Sequence, residues 1–177
     1  NSERLVISAS YSTIGFGDRY RISRLFSVNK DGSDLVEIKR NLKKDAPNWL
    51  KRMSPKLISS LPNDSENILV QLYNREDNAA SVFKVNIYKN DFVKVFSNKY
   101  DVHAWSVNKE GDVVFGYGID EDDATRETQT FWFRDGVSED WKLLHKKKYF
   151  EKETFNPVLV VEDKVYVLSD HKTGRNA

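Results

Sequence analysis

The feature that most constrains the fold is a strand-turn-strand pattern that recurs along the chain. Its clearest strands are four short apolar runs, at residues 5–9, 68–72, 113–117 and 165–169. Three of them follow an earlier apolar run and a polar turn, and these earlier runs are residues 57–61, 105–107 and 158–161. Apolar residues elsewhere alternate or form short β-branched and aromatic clusters, which is typical of strands. The sequence therefore predicts an all-β protein.

A second hairpin follows each of the first three clear strands. In each copy, two alternating runs are separated by a short polar turn, of which Lys30-Asp31-Gly32 is the strongest signal. The three copies occupy residues 25–38, 82–96 and 130–144. The repeating unit is thus strand, turn, strand, loop, strand, turn, strand. Units of four strands at intervals of roughly 45 to 60 residues are typical of the blades of a β-propeller.

The repeats predict a partial β-propeller of about three to four four-stranded antiparallel blades. The approximate blades are residues 1–40, 54–97, 102–145 and 155–177. A closed propeller needs at least about four complete blades, so we expect this chain to be a segment of a longer protein. Alternating strands also fit a small β-sandwich, and that alternative stays open at this point.

The least strand-like segment is residues 40–53, which we interpret as a link between blades with one helical turn and a buried Trp49. The four tryptophans are Trp49, Trp105, Trp132 and Trp141. They could form a platform for stacking a sugar or a peptide. We favour a packing role between sheets, because large rings fill the space between neighbouring sheets.

Composition and charge exclude several classes of function. Of the 177 residues, 39% are hydrophobic and 12% aromatic, which excludes a disordered chain. Basic and acidic residues balance at 28 and 27, which argues against a nucleic-acid partner. The absence of cysteine excludes disulfides and thiolate metal sites. We expect no membrane span, metal or cofactor, and the sequence leaves periplasm and cytoplasm equally open.

Several pieces of the second half resemble one known family. They are a tryptophan before a V-x-x-x-G hairpin, an aromatic-Arg-Asp strand, a W-x-x-L strand and a closing apolar strand. They stand at Trp105 and residues 107–111, 131–136, 141–144 and 165–169. Together they resemble the amino-terminal β-propeller of the prolyl oligopeptidase family of serine peptidases, especially its acylaminoacyl-peptidase-like bacterial members. The resemblance covers most of residues 60–177.

The resemblance implies a non-catalytic domain that gates peptide access to a downstream α/β-hydrolase domain. In that family, a serine in a Gly-x-Ser-x-Gly turn attacks the peptide carbonyl with the help of aspartate and histidine. This chain lacks that turn, and residues 136–139 lack its closing glycine. We therefore expect this chain to be inactive alone, its catalytic domain to follow, and the parent to be a serine peptidase. The alternative is a non-enzymatic propeller-type protein-interaction module.

Four charged or glycine-rich stretches could each be a binding site or an ordinary structural feature. The acidic run at residues 120–123 does not fit an EF-hand, but relatives suggest Glu121 and Asp122 as candidates for peptide contact. We interpret the lysines at 146–148 as a solvated connector, not a phosphate patch. We interpret the glycines at 15–17 and 116–118 as bulges or close sheet packing, not nucleotide sites.

An incomplete propeller leaves strand edges and apolar faces uncovered, and such surfaces associate. We therefore expect the isolated chain to self-associate. The expected partners are the downstream hydrolase domain and a peptide substrate.

Overall fold

The computed structural model describes residues 3–15, 17–97, 102–120, 122–137, 140–152, 154–161 and 164–170. Strands make up 57% of the chain and helix 3%. Within the described residues, the strands form four antiparallel sheets. The predicted all-β class is confirmed.

The first sheet is dominated by one long hairpin. Its strands are β1 (Arg4–Gly15), β2 (Asp18–Asn29) and β3 (Val36–Glu37). β1 and β2 pair along their whole length, and Gly17 closes their turn with a φ of +90°, which glycine adopts without strain. β3 pairs only with Phe26 and Ser27, so the half of the hairpin nearest the turn is mostly exposed.

The second sheet has four strands in chain order, each paired with the next. A short helix, α1 (Asn48–Arg52), precedes it. The strands are β4 (Lys56–Ser59), β5 (Asn67–Asn74), β6 (Ala79–Asn86) and β7 (Phe92–Phe96). Near-continuous burial of β5 and β6 follows from their unbroken β-branched and aromatic runs.

The third sheet repeats this meander, and the fourth is a single hairpin. The strands of the third are β8 (Val102–Val107), β9 (Val113–Ile119), β10 (Thr128–Phe133) and β11 (Lys142–Lys148). The fourth contains β12 (Phe155–Val161) and β13 (Lys164–Ser169). The described strands therefore form four sheets, whereas a two-layer β-sandwich has two.

The chain divides into two compact units, each with its own core. The first comprises Asn1–Tyr73 with Val82–Val95, and the second comprises Asn74–Ser81 with Phe96–Ala177. The first core is a cluster of buried aliphatic and aromatic residues: Leu25, Ile38, Ile68, Val70, Leu72, Phe83, Val85 and Ile87. Buried residues of the second unit include Val102, Trp105, Val113, Val114, Phe115 and Phe131.

Local predictions met different outcomes. The three predicted hairpins form, as β2–β3, β6–β7 and β10–β11, and the predicted helical turn is α1. Trp105 is buried as expected, but Trp49 is 53% exposed, so its predicted burial is wrong. The lysines at 146–148 lie in β11 and not in a connector, because the strand continues past the apolar run that marked it. The division into propeller blades stays a prediction.

Across the described residues, α1 is the only helix, and no helix is long and apolar enough to span a membrane.

Candidate functional site

Of the two predicted peptide-contact residues, Asp122 lies in the described part of the loop between β9 and β10. Asp123 organises this loop, because its carboxylate accepts bonds from the Thr125 hydroxyl (2.6 Å) and from the backbone N–H groups of Thr125 (3.0 Å), Glu127 (3.1 Å) and Thr128 (2.8 Å). Aspartate side chains commonly stabilise turns by accepting hydrogen bonds from backbone N–H groups two or more residues further along the chain. The loop is therefore a built structure closed on Asp123.

Two of the acidic residues are committed to this internal framework. Lys146 Nζ on β11 donates to Asp120 Oδ2 at 2.6 Å, and this bond lowers the pKa of Asp120. The bonds from Thr125 and Thr128 hold the pKa of Asp123 well below its usual range. Both carboxylates stay ionised at neutral pH, but their hydrogen bonds are made to groups of the loop and of β11.

Asp122 is exposed, and its backbone N–H donates to Asp120 Oδ1 at 3.3 Å. Its carboxylate is available to a cationic group in solution. Glu121 lies outside the described residues. Peptide contact by Glu121 and Asp122 stays a prediction.

An aromatic cluster of the second unit packs the third sheet against β12. Tyr117, Phe131 and His145 are opposite one another on β9, β10 and β11. Phe155 of β12 lies over this row, with its ring centroid 4.7 Å from that of Phe131 and 4.4 Å from that of His145. The interplanar angle with His145 is 23°, a stacked arrangement. These contacts hold the fourth sheet to the third.

A polar cavity of about 320 Å³ opens beside this aromatic cluster. Ser106, Gln129, Lys147 and Asn156 contribute hydrogen-bonding groups to its lining. The volume is at the lower end of the range for small-molecule sites. The described residues contain no group of three or more potential metal ligands drawn from histidine, cysteine, aspartate and glutamate. The arrangement can hydrogen-bond a small polar group.

Arg134, part of the aromatic-Arg-Asp pattern, is buried and structural. Its guanidinium lies 5.4 Å from the Phe96 ring centroid and 5.0 Å from that of Trp141. Nε donates to Val113 O at 2.7 Å, and Nη1 donates to Val137 O at 2.9 Å. Burial lowers the pKa of Arg134. The side chain fixes the start of β9 to the β10–β11 turn.

A second cavity, in the first unit, escaped sequence reasoning. It has a volume of about 430 Å³ and lies along the segment that the sequence suggested to be a simple link, residues 40–53. Lysine and arginine side chains dominate its polar lining. The signal was the density of basic residues from Lys39 to Lys51, which the near-neutral charge of the whole chain obscured.

Comparisons of this chain with protein-family models, with curated proteins and with solved structures find no match.

Proposed function

We propose that this chain is a β-propeller segment that gates peptide access to the α/β-hydrolase domain of a prolyl-oligopeptidase-like serine peptidase. The observation that carries the proposal is the repetition of one meander. Strands begin at residues 56, 67, 79 and 92 in the second sheet and at 102, 113, 128 and 142 in the third. A four-stranded meander repeated at an interval of about 50 residues supports a propeller. The assignment to this family rests on the resemblance of residues 60–177.

In this proposal the segment has no chemical role of its own. Selection is steric, because a gating domain admits only peptides narrow enough to pass to the nucleophile. Asp122 and Glu121 attract the ammonium group of a peptide, which orients the peptide before it enters. A single exposed carboxylate contributes modestly, about 0–1 kcal/mol in an ion pair. The main effect is therefore on KM.

A second function, a non-enzymatic interaction module, is favoured by the fourth sheet. Val158, Leu159, Tyr166 and Leu168 are 48 to 61% exposed there. Contiguous exposed apolar side chains mark surfaces that bind other proteins. In this alternative, the chain holds a partner protein and no hydrolase domain follows.

The sequence that follows residue 177 distinguishes the two. A Gly-x-Ser-x-Gly turn after a strand, with a later aspartate and histidine, supports the peptidase proposal, and its absence supports the interaction module. The chain alone should not hydrolyse chromogenic aminoacyl substrates. Hydrolysis that a serine-directed inhibitor abolishes would contradict a non-catalytic role.

The acidic loop is tested in the full-length protein. Asp122→Asn should raise KM for peptides with a free amino terminus and leave kcat unchanged. Asp140→Asn, an exposed change of the same charge, is the matched control. Equal KM values for free and N-acetylated peptides in the unaltered protein would exclude ammonium recognition by this loop.

A further inference from the structure

The cavity of about 430 Å³ in the first unit has an unusual lining. Five cationic residues contribute to this lining: Lys39, Arg40, Lys43, Lys44 and Lys51. Its apolar lining is formed by Leu42, Leu50, Met53, Leu72 and Tyr73. No carboxylate contributes to the lining formed by the described part of the chain. The volume is in the range of small-molecule binding sites.

The walls of this cavity are anchored at both ends. The Asn90 amide brackets the Lys39 backbone, accepting from its N–H at 3.2 Å and donating to its carbonyl at 2.8 Å. The preceding residue, Ile38, is 1% exposed. At the other end, Lys51 Nζ on α1 donates to the Lys44 carbonyl at 2.6 Å. A preformed cavity lowers the entropy that binding would otherwise cost.

The cations around the cavity are only partly neutralised. Lys39 pairs with Glu37 at 3.0 Å, and the Arg40 guanidinium lies 5.3 Å from the centre of the Phe83 ring. Lys43 and Lys44 are exposed, and neither has a carboxylate partner among the described residues. Positive charges gathered around one concavity repel one another, and an anion within it would relieve that repulsion.

The lining of the cavity includes one aromatic ring. This ring belongs to Tyr73, and the Trp49 ring packs edge-on against Tyr73 with centroids 5.4 Å apart. Trp49 is 53% exposed, so a group bound against Tyr73 would change its environment. A bare inorganic anion would leave the Tyr73 ring unused.

We infer that this cavity binds a small organic anion that carries at least two negative charges beside a flat apolar group. Guanidinium and ammonium groups bind phosphate and carboxylate alike, so a nucleoside diphosphate and a short acidic peptide with an aromatic residue share the required chemistry. This binding is separate from peptide gating and does not depend on it.

The test measures binding of four probes to the full chain by calorimetry and by tryptophan fluorescence. The probes are adenosine diphosphate, the tripeptide Glu-Glu-Phe, the neutral tripeptide Gln-Gln-Phe and inorganic phosphate. We expect one of the first two to bind at least about tenfold more tightly than both the neutral peptide and phosphate, a difference that corresponds to about 1.4 kcal/mol. Trp49→Phe should remove the fluorescence change and leave calorimetric binding in place.

Paired variants locate the site. Lys43→Gln with Lys44→Gln should weaken binding at least about tenfold, because two charge-assisted contacts are lost. Lys30→Gln with Lys152→Gln removes the same charge from exposed positions outside the cavity lining and should change affinity less than about twofold, as expected for surface charges screened by salt. Equal losses in both pairs would show nonspecific attraction. Failure of both organic anions to bind at millimolar concentration, or equally tight binding of phosphate, would overturn the inference.

Discussion

The indole ring of Trp105 occupies the space that a side chain on Gly116 would need. The two residues are opposite each other on β8 and β9, and a Cβ built on Gly116 would lie 2.6 Å from Cε3 and Cζ3 of Trp105. Trp105 is 3% exposed, and its Nε1 donates to the Ala80 carbonyl at 2.9 Å. The glycine therefore allows the ring to be buried within the sheet.

Gly116→Ala should destabilise the protein, because the added methyl group overlaps a ring that a hydrogen bond holds in place. We expect a loss of about 1–3 kcal/mol in the free energy of unfolding, measured by urea denaturation. In a background with Trp105→Leu, the overlapping ring atoms are absent and the same substitution should cost less, although Val102 Cγ1 would still lie 2.8 Å from the added methyl group. An equal cost in both backgrounds would contradict the steric explanation.

Arg4→Met should destabilise the first sheet. The Arg4 side chain is 1% exposed, its Nε donates to Ser27 Oγ at 2.7 Å, and its guanidinium forms an ion pair with Asp34. Methionine fills similar space but leaves buried Ser27 without its donor, at an expected cost of about 2–3 kcal/mol. Arg19→Met on the exposed part of the hairpin is the control, with an expected change within about 0.5 kcal/mol.

Acid should loosen the β9–β10 loop. Hydrogen bonds from Thr125 and Thr128 lower the pKa of Asp123 below the ordinary value of 3.8. Its stabilising effect is therefore complete above that value and is lost as the pH falls through the lowered pKa. Thermal unfolding from about pH 5 down to pH 2 should show a steeper loss of stability for the unaltered chain than for Asp123→Asn. Parallel curves would show that Asp123 is not a source of the acid sensitivity.

Phe155→Ala should release the fourth sheet from the third. Removing the ring abolishes its contacts with Phe131 and His145, which join β12 to the third sheet. Amide hydrogen exchange should accelerate at least about tenfold in β12 and β13, while β9 stays protected. Val158→Ala, at a residue 61% exposed, should leave the exchange of both strands unchanged.

The isolated chain should self-associate through the fourth sheet. Leu159 and Tyr166 are opposite each other on β12 and β13, and both are 54% exposed. Light scattering should show a mass that rises with concentration, because such apolar faces associate. Leu159→Lys with Leu168→Lys should reduce the effect, and Val93→Lys with Val137→Lys should not. A constant monomer mass would exclude self-association.

The strands were predictable because alternation is a local signal. Residues 25–38, 82–96 and 130–144 each combine a period of two with a turn, and both signals are legible within a dozen positions. The exposure of Trp49 was not predictable in this way. Its ring packs on Tyr73, more than twenty positions along the chain, and only the folded structure shows which side of that contact is covered.

The candidate sites likewise combine features that are visible in the sequence with contacts that only the folded chain makes. The acidic run was visible in the sequence, but the engagement of Asp120 and Asp123 depends on Lys146 and on the turn through Thr128. The cationic cavity depends on residues from a loop, α1 and β5 that meet only in the fold. The net charge of the whole chain does not indicate this local group of cations, since acidic residues elsewhere bring the net charge close to zero.

The long hairpin of β1 and β2 is paired with a third strand at one end. Each strand contributes twelve residues, about 40 Å of extended backbone, yet β3 braces only the end farthest from the turn. Tension or proteolysis at the turn should therefore open the β1–β2 pairs nearest the turn first and the pairs beside β3 last. Joining the paired residues Tyr11 and Ile22 by a new two-residue turn would remove the part of the hairpin beyond them and keep the register of the remaining β1–β2 pairs.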